Sequence, residues 1–271
     1  MAENRGINAL RALFAATAAE DRAALLPYMT AGLPSRSGSI NLFVAMAEAG
    51  ADAFEVGIPY SDPLMDGPTI HAAGLKALAA GTSLDGGLEV VADVTAATGK
   101  PVIVMSYVNP VLRVGIDNFA KRAAAAGASA VILADLPVDE SAPFRDAFDI
   151  AGLGTVLFVA PTTVGDRLRA VAEADPVFLY GVAEVGVTGE RERSGDRVVE
   201  LAAAVRAVTD VPLVLGVGIS TPEHAGDASA VADGVIVGSA LVRRVLDAPD
   251  IASAALAVGR AVADLASAVR R

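Results

Sequence analysis

Short β-type runs alternate with longer alanine-rich helical patterns along the whole chain. Eight runs have strand character: residues 25–30, 53–57, 102–106, 130–134, 155–159, 177–180, 213–216 and 234–237. Eight is the number that a closed (β/α)8 barrel requires. Helical patterns fall between them at 39–49, 84–98, 116–126, 140–151, 166–174, 198–208, 222–232 and 241–246, and a last one spans 251–269. The repeated Ala-Gly-Ala segments, Ala49-Gly50-Ala51 and Ala126-Gly127-Ala128, sit where a helix stops, with glycine at the residue after the cap. No composition shift or Pro/Gly/Ser linker cuts the chain, so residues 1–271 read as one α/β TIM-barrel domain. An open doubly wound sheet is the alternative, and the even repeat favours the barrel.

Ahead of the first strand, Ile7, Leu10, Phe14 and Ala18 recur at helical spacing. Arg11 interrupts the apolar stretch, so an extra amphipathic N-terminal helix fits better than a signal peptide. No run of eighteen uncharged apolar residues is present, and none is read as crossing a membrane. The net charge of −11, with no basic cluster, argues against a nucleic-acid partner. The absence of cysteine removes disulfides, thiolate metal sites and a cysteine nucleophile, and fits a cytoplasmic location.

Loops that enter strands are short. Several that leave them, at 31–38, 58–68, 181–196 and 217–221, are long and rich in Gly, Pro and Ser. In a barrel all of these lie on the C-terminal face, where active sites are built. Glu55 breaks the apolar run of the second strand. Burying a charge is costly, so a carboxylate there points to a chemical task. Alternation puts Ala53, Glu55 and Gly57 on one face and Phe54 and Val56 on the other, which turns Glu55 into the barrel. Desolvation there should raise its pKa towards neutrality, as a proton shuttle needs. Asp66, in Met65-Asp66-Gly67-Pro68, is first a turn signal, but it follows the Glu55 strand by one loop. The two carboxylates can face one cavity and divide acid and base roles.

Gly216-Val217-Gly218-Ile219-Ser220 and Gly238-Ser239 end the last two strands, the usual place for phosphate in a barrel enzyme. The first lacks the third glycine of a dinucleotide fingerprint. Val187-Thr188-Gly189 could form a lid reaching the same anion. The only lysines, Lys76, Lys100 and Lys121, all miss the C-terminal strand ends, which makes Schiff-base chemistry improbable. His71 and His224 are the only histidines, too few for a multi-histidine metal site, and read as solvated or capping residues. What remains is metal-free acid/base catalysis by carboxylates on a phosphorylated substrate.

The stretch Glu55-Val56-Gly57-Ile58-Pro59-Tyr60-Ser61-Asp62-Pro63-Leu64-Met65-Asp66-Gly67-Pro68-Thr69-Ile70 closely resembles the signature of the tryptophan synthase alpha chain family. Ala134-Asp135-Leu136-Pro137-Val138-Asp139-Glu140-Ser141, Gly186-Val187-Thr188-Gly189, Gly216-Val217-Gly218-Ile219-Ser220 and Gly238-Ser239-Ala240 are further matches. The resemblance runs from about residue 25 to 246. It implies a barrel that splits indole-3-glycerol phosphate into indole and glyceraldehyde 3-phosphate, a step of tryptophan biosynthesis. It implies that Glu55 moves the protons, that Asp66 polarises the indole N–H and that Tyr180 stands near the glycerol chain. Tyr28, Met105 and Ile132 would line the indole slot, with Ile70 also on the substrate, and Gly189, Gly218, Gly238 and Ser239 would hold the phosphate. The implied partner is a beta chain in an alpha2-beta2 tetramer, faced by Pro59, Asp62, Asn109, Asp135 and Pro137. That partner would carry pyridoxal phosphate; this chain would hold no cofactor and no metal.

The chain departs from the family pattern at Ala183-Glu184-Val185, at Val217, where the family often has phenylalanine, and at Leu33, where aspartate is common. None of these removes a proposed proton carrier. A stand-alone lyase that frees indole and a non-catalytic activator of a beta chain are the alternatives. A sugar-phosphate epimerase or isomerase is weaker, because the histidine, lysine and cysteine counts do not supply its usual groups.

Overall fold

The computed structural model describes residues 6–182, 191–216 and 218–271, without the side chains of 191–196. Eight strands pair in parallel and in chain order, and the last pairs with the first to close a barrel. They are β1 Ala24–Thr30, β2 Phe54–Gly57, β3 Val102–Ser106, β4 Ala130–Leu133, β5 Gly154–Val159, β6 Phe178–Gly181, β7 Leu213–Leu215 and β8 Gly234–Val237. Each expected strand is present, with ends within about one residue, the usual scatter of such boundaries.

Helices surround the barrel: α1 Ile7–Ala19, α2 Arg36–Glu48, α3 Pro68–Ala79, α4 Leu84–Thr98, α5 Val108–Val114, α6 Ile116–Ala125, α7 Ala142–Ile150, α8 Gly165–Glu173, α9 Arg191–Arg206, α10 Pro222–Ser229, α11 Ser239–Asp247 and α12 Ile251–Ala268. Two of these, α3 and α5, lie almost wholly in stretches to which the sequence pattern assigns neither strand nor helix. Gly67-Pro68 reads as a turn, yet proline at the first helical position starts α3 because its missing N–H has no partner to lose there. Pro110 sits in the first turn of α5, where the same argument makes it harmless.

Apolar side chains fill both faces of the sheet. Phe54 points outward and meets Phe43 of α2 edge-on, with centroids 5.2 Å apart, while Glu55, next to Phe54 in sequence, points inward. Helix α1 closes the N-terminal mouth: Phe14 stands edge-on to Phe178 at 5.8 Å. Its buried face is Leu10, Phe14 and Thr17, so the fourth position of the expected stripe is Thr17, and Ala18 is exposed. At 3.6 residues per turn, the seventh residue after Leu10 returns to the core more closely than the eighth. Gly50 and Gly127 end their helices at φ +105° and +86°, a conformation that side chains with a Cβ disfavour.

At the same N-terminal end Arg22 grips Asp52 through two hydrogen bonds of 2.7 and 2.9 Å, and Asp52 also accepts from the Leu25 N–H at 2.8 Å. This fixes the start of β1 to the entry of β2. Helix α12 alone among the described helices is long and apolar enough to cross a membrane. It carries Arg260 and Asp264 on its exposed side and buries Ala254, Val258, Val262 and Leu265 on the barrel's helical layer, which accounts for its apolarity as packing.

Candidate active site

Strand register sets the site. Tyr28 pairs with Glu55, Gly57 with Met105, Met105 with Ile132, and Phe158 with Tyr180. Residues in register share a face, so all of these side-chain positions point into the barrel near its C-terminal end. The inward reading of Glu55 from alternation agrees with this arrangement. Small residues make room for large ones: the Tyr28 ring lies over Gly57 and the Tyr180 ring over Gly216, and at either glycine a Cβ would collide with the ring.

Glu55 is 4% exposed, and its Oε2 has no hydrogen-bond partner among the described residues. Burial pushes its pKa up to about 8, and the charge of nearby Asp66 adds to the shift. Glu55 is therefore a protonated acid at pH 7, with an oxygen left for a substrate to meet. Asp66 is half-buried. Burial raises its pKa, a hydrogen bond from Tyr107 lowers it, and the nearby His71 lowers it further. Two carboxyls in unlike surroundings, one fully buried and one half-buried beside a phenol donor, can divide acid and base roles. Burial also raises the phenols of Tyr28 and Tyr180, and the Glu55 charge opposes their ionisation, so both stay neutral.

Around this centre, Met105 is half-buried and Ile132 fully buried on the wall, and Ile70 sits in the first turn of α3. Across the mouth, Gly238 caps α11, Ser239 is its exposed first residue, and Gly218 is exposed with φ +79°. Backbone N–H groups at a helix start favour an anion. Gly189 lies outside the described residues, as do Val187, Thr188, Val217 and the 183–185 departure. Of the expected partner-facing residues, Asp62, Asn109 and Pro137 are exposed and Asp135 is half-buried, whereas Pro59 is buried within the chain. His71 is exposed, and the His224 N–H is capped by Thr221.

Two residues escape a motif-based reading. Tyr107 continues the inward parity of Ile103 and Met105 beyond the end of β3, and its hydroxyl donates to Asp66 Oδ1 at 2.6 Å. Phe158 stacks on Tyr180 with centroids 4.9 Å apart. Counting by twos from Met105 and from Val156 would have found both. Among the described residues no group of three His, Asp or Glu side chains is arranged to hold a metal ion. A cavity of about 760 Å³ lies at the opposite end of the barrel beside Lys100, Ser129 and Gly152, away from every candidate residue.

The chain is similar to known proteins of one family. The family described as tryptophan synthase alpha chain matches residues 14–269. The tryptophan synthase alpha chain of Alkalilimnicola ehrlichii is 44% identical over 202 residues, covering 74% of each chain. That of Deinococcus radiodurans is 45% identical over 193 residues, covering 70% of each. In a solved structure of Mycobacterium tuberculosis tryptophan synthase, a chain 38% identical superposes with a TM-score of 0.87, over 97% of this chain and 98% of that one.

Proposed function

The chain belongs to the tryptophan synthase alpha chain family, and we propose that it cleaves indole-3-glycerol phosphate with Glu55 as the proton carrier. It is a lyase; the products are indole and glyceraldehyde 3-phosphate. The observation that carries the assignment of Glu55 is its buried Oε2, without a partner among the described residues, facing the barrel interior beside Asp66.

Protonated Glu55 gives its proton to indole C3, which makes C3 tetrahedral and puts positive charge on the ring nitrogen. Ionised Asp66 stabilises that charge. The Glu55 carboxylate then takes the proton of the glycerol C3′ hydroxyl. The C3–C3′ bond breaks, its electrons return to the ring and the aldehyde forms. Glu55 ends protonated, ready for another turn, so one carboxyl serves as acid and then base. Tyr180 stands against the glycerol chain, and Tyr28, Met105, Ile132 and Ile70 enclose the indole. Gly218, Gly238 and Ser239 hold the phosphate with the first turn of α11, and binding energy far from the breaking bond orients it. The reaction as written needs neither a cofactor nor a metal in this chain.

The family works with a beta chain. We assign to this chain an alpha2-beta2 assembly in the cytoplasm, with pyridoxal phosphate confined to the beta partner. Asp62, Asn109, Asp135 and Pro137 ring the mouth on the side where Leu64 is 81% and Met65 61% exposed. A groove of about 470 Å³ between Met65, Pro137 and Phe158 continues that surface.

The purified chain is expected to release indole and glyceraldehyde 3-phosphate in equal amounts, and adding a beta chain should raise the rate. Absence of both products overturns the assignment. Products at a rate indifferent to the beta chain remove the assembly and leave a stand-alone lyase.

A further inference from the structure

The hydroxyl of Tyr107 is buried, donates to Asp66 Oδ1 at 2.6 Å and accepts from the Met65 N–H at 3.3 Å. It thereby pins two consecutive residues of the loop that carries Asp66. Tyr107 is itself held on two further sides. The Tyr60 ring lies against it with centroids 5.4 Å apart, and Asn109 Nδ2 donates to the Tyr60 hydroxyl at 2.9 Å. The next backbone group, the Val108 N–H, donates to Asp135 Oδ1 at 2.8 Å. None of these groups needs to touch substrate, yet together they fix the position of one that does.

We propose that Tyr107 is the positioning residue for Asp66: its hydroxyl aims the carboxylate at the substrate nitrogen, and the Asn109–Tyr60 tether braces its ring from the outer face of the loop. This rests on the lyase assignment only for the direction in which Asp66 points. A neutral phenol donating to a carboxylate favours the charged form of the acid. Asp66 is the group whose negative charge the ring nitrogen needs, so the bond supplies both aim and charge. The other titratable groups facing Asp66 are Glu55 of β2, Tyr28 of β1 and His71 of α3; Asp135 faces Tyr107 from the loop after β4. At neutral pH Glu55 and Tyr28 are uncharged. That leaves the Tyr107 hydrogen bond as the larger of the two influences that offset the burial of Asp66, ahead of His71.

Tyr107→Phe tests the proposal. The Asp66 carboxyl, labelled with 13C and identified by its loss in Asp66→Asn, should titrate about one pH unit higher in Tyr107→Phe than in the wild type, the displacement that one charge-assisted hydrogen bond is worth. The acid limb of indole release should move up by the same amount. The kcat should fall by roughly tenfold with KM held within about twofold, since the lost interaction belongs to the transition state. A merely structural tyrosine would lower the melting temperature and leave the titration in place. Tyr60→Phe, which cuts only the tether, should move the limb in the same direction by less. An Asp66 titration identical in wild type and Tyr107→Phe overturns the proposal. If Tyr107→Phe does not fold, the wild type decides: the Tyr107 ring resonance should shift as Asp66 titrates and stay still in Asp66→Asn, and no response overturns the proposal. The two readings fail differently. Indole release that survives Glu55→Gln breaks the lyase mechanism, whereas an unmoved Asp66 with Glu55→Gln inactive breaks only the role of Tyr107.

Discussion

Glu55→Gln is expected to lower indole release by on the order of 10³-fold while the barrel stays folded. Glutamine matches the shape of the protonated acid but cannot give up and regain a proton at C3. The fold should accept it, because the site already holds an uncharged group at pH 7 with one oxygen that has no partner among the described residues. Stability makes the same point through its sign. The carboxyl titrates at about 8 in the folded chain, against 4.5 for an unperturbed glutamate. The folded state therefore holds the proton where the unfolded state has lost it. The stability this contributes is complete below the unfolded value and disappears as the pH climbs through about 8. Thermal melts should show the wild type losing ground to Glu55→Gln across that window. Turnover near the wild-type level in the variant removes Glu55 from the mechanism.

Gly216→Ala is the second large effect. A Cβ at this position would overlap the hydroxyl end of the Tyr180 ring. The ring cannot simply slide aside, because Phe158 packs against it at 4.9 Å. It must shift within the cavity it shares with Glu55, where a misplacement of about 1 Å costs on the order of 10²-fold in rate. The expected result is a kcat/KM lower by about that factor, with only the modest destabilisation, ~1–3 kcal/mol, of an overpacked site. The backbone of Gly216 is not in the left-handed region, so strain at the glycine itself adds nothing. Wild-type activity in Gly216→Ala would show that Tyr180 does not stand against the reacting chain.

The barrel was legible in the sequence because strands covered on both faces read as unbroken apolar runs, and eight of them recur between helical patterns. Helices α3 and α5 were hidden for one reason: a proline near each start looks like a loop and functions as a first-turn residue. The Ala18 expectation failed by a single residue of helical phase. In the site, Glu55 stood out because charge is conspicuous inside an apolar strand. Asp66 stood out less, since Asp-Gly also makes turns, and it was its distance from Glu55 along the chain that paired them. Tyr107 could be turned inward by counting from Met105, but its partner could not be read along the chain. It meets Asp66 across 41 residues of chain, and only the alignment of β2 with β3 brings them together. Pro59 shows the converse: a motif match names a position but not its exposure, and this proline is buried within the chain.

The mechanism requires one buried carboxyl to remain protonated at neutral pH and so be able to act first as an acid. Infrared difference spectroscopy of the wild type against Glu55→Gln reads this without any turnover. The predicted result is a protonated carboxyl band at pH 7 that fades as the pH rises through about 8 and is absent from the variant. A Glu55 already ionised at pH 7 would contradict the account, since it would have no proton to place on carbon.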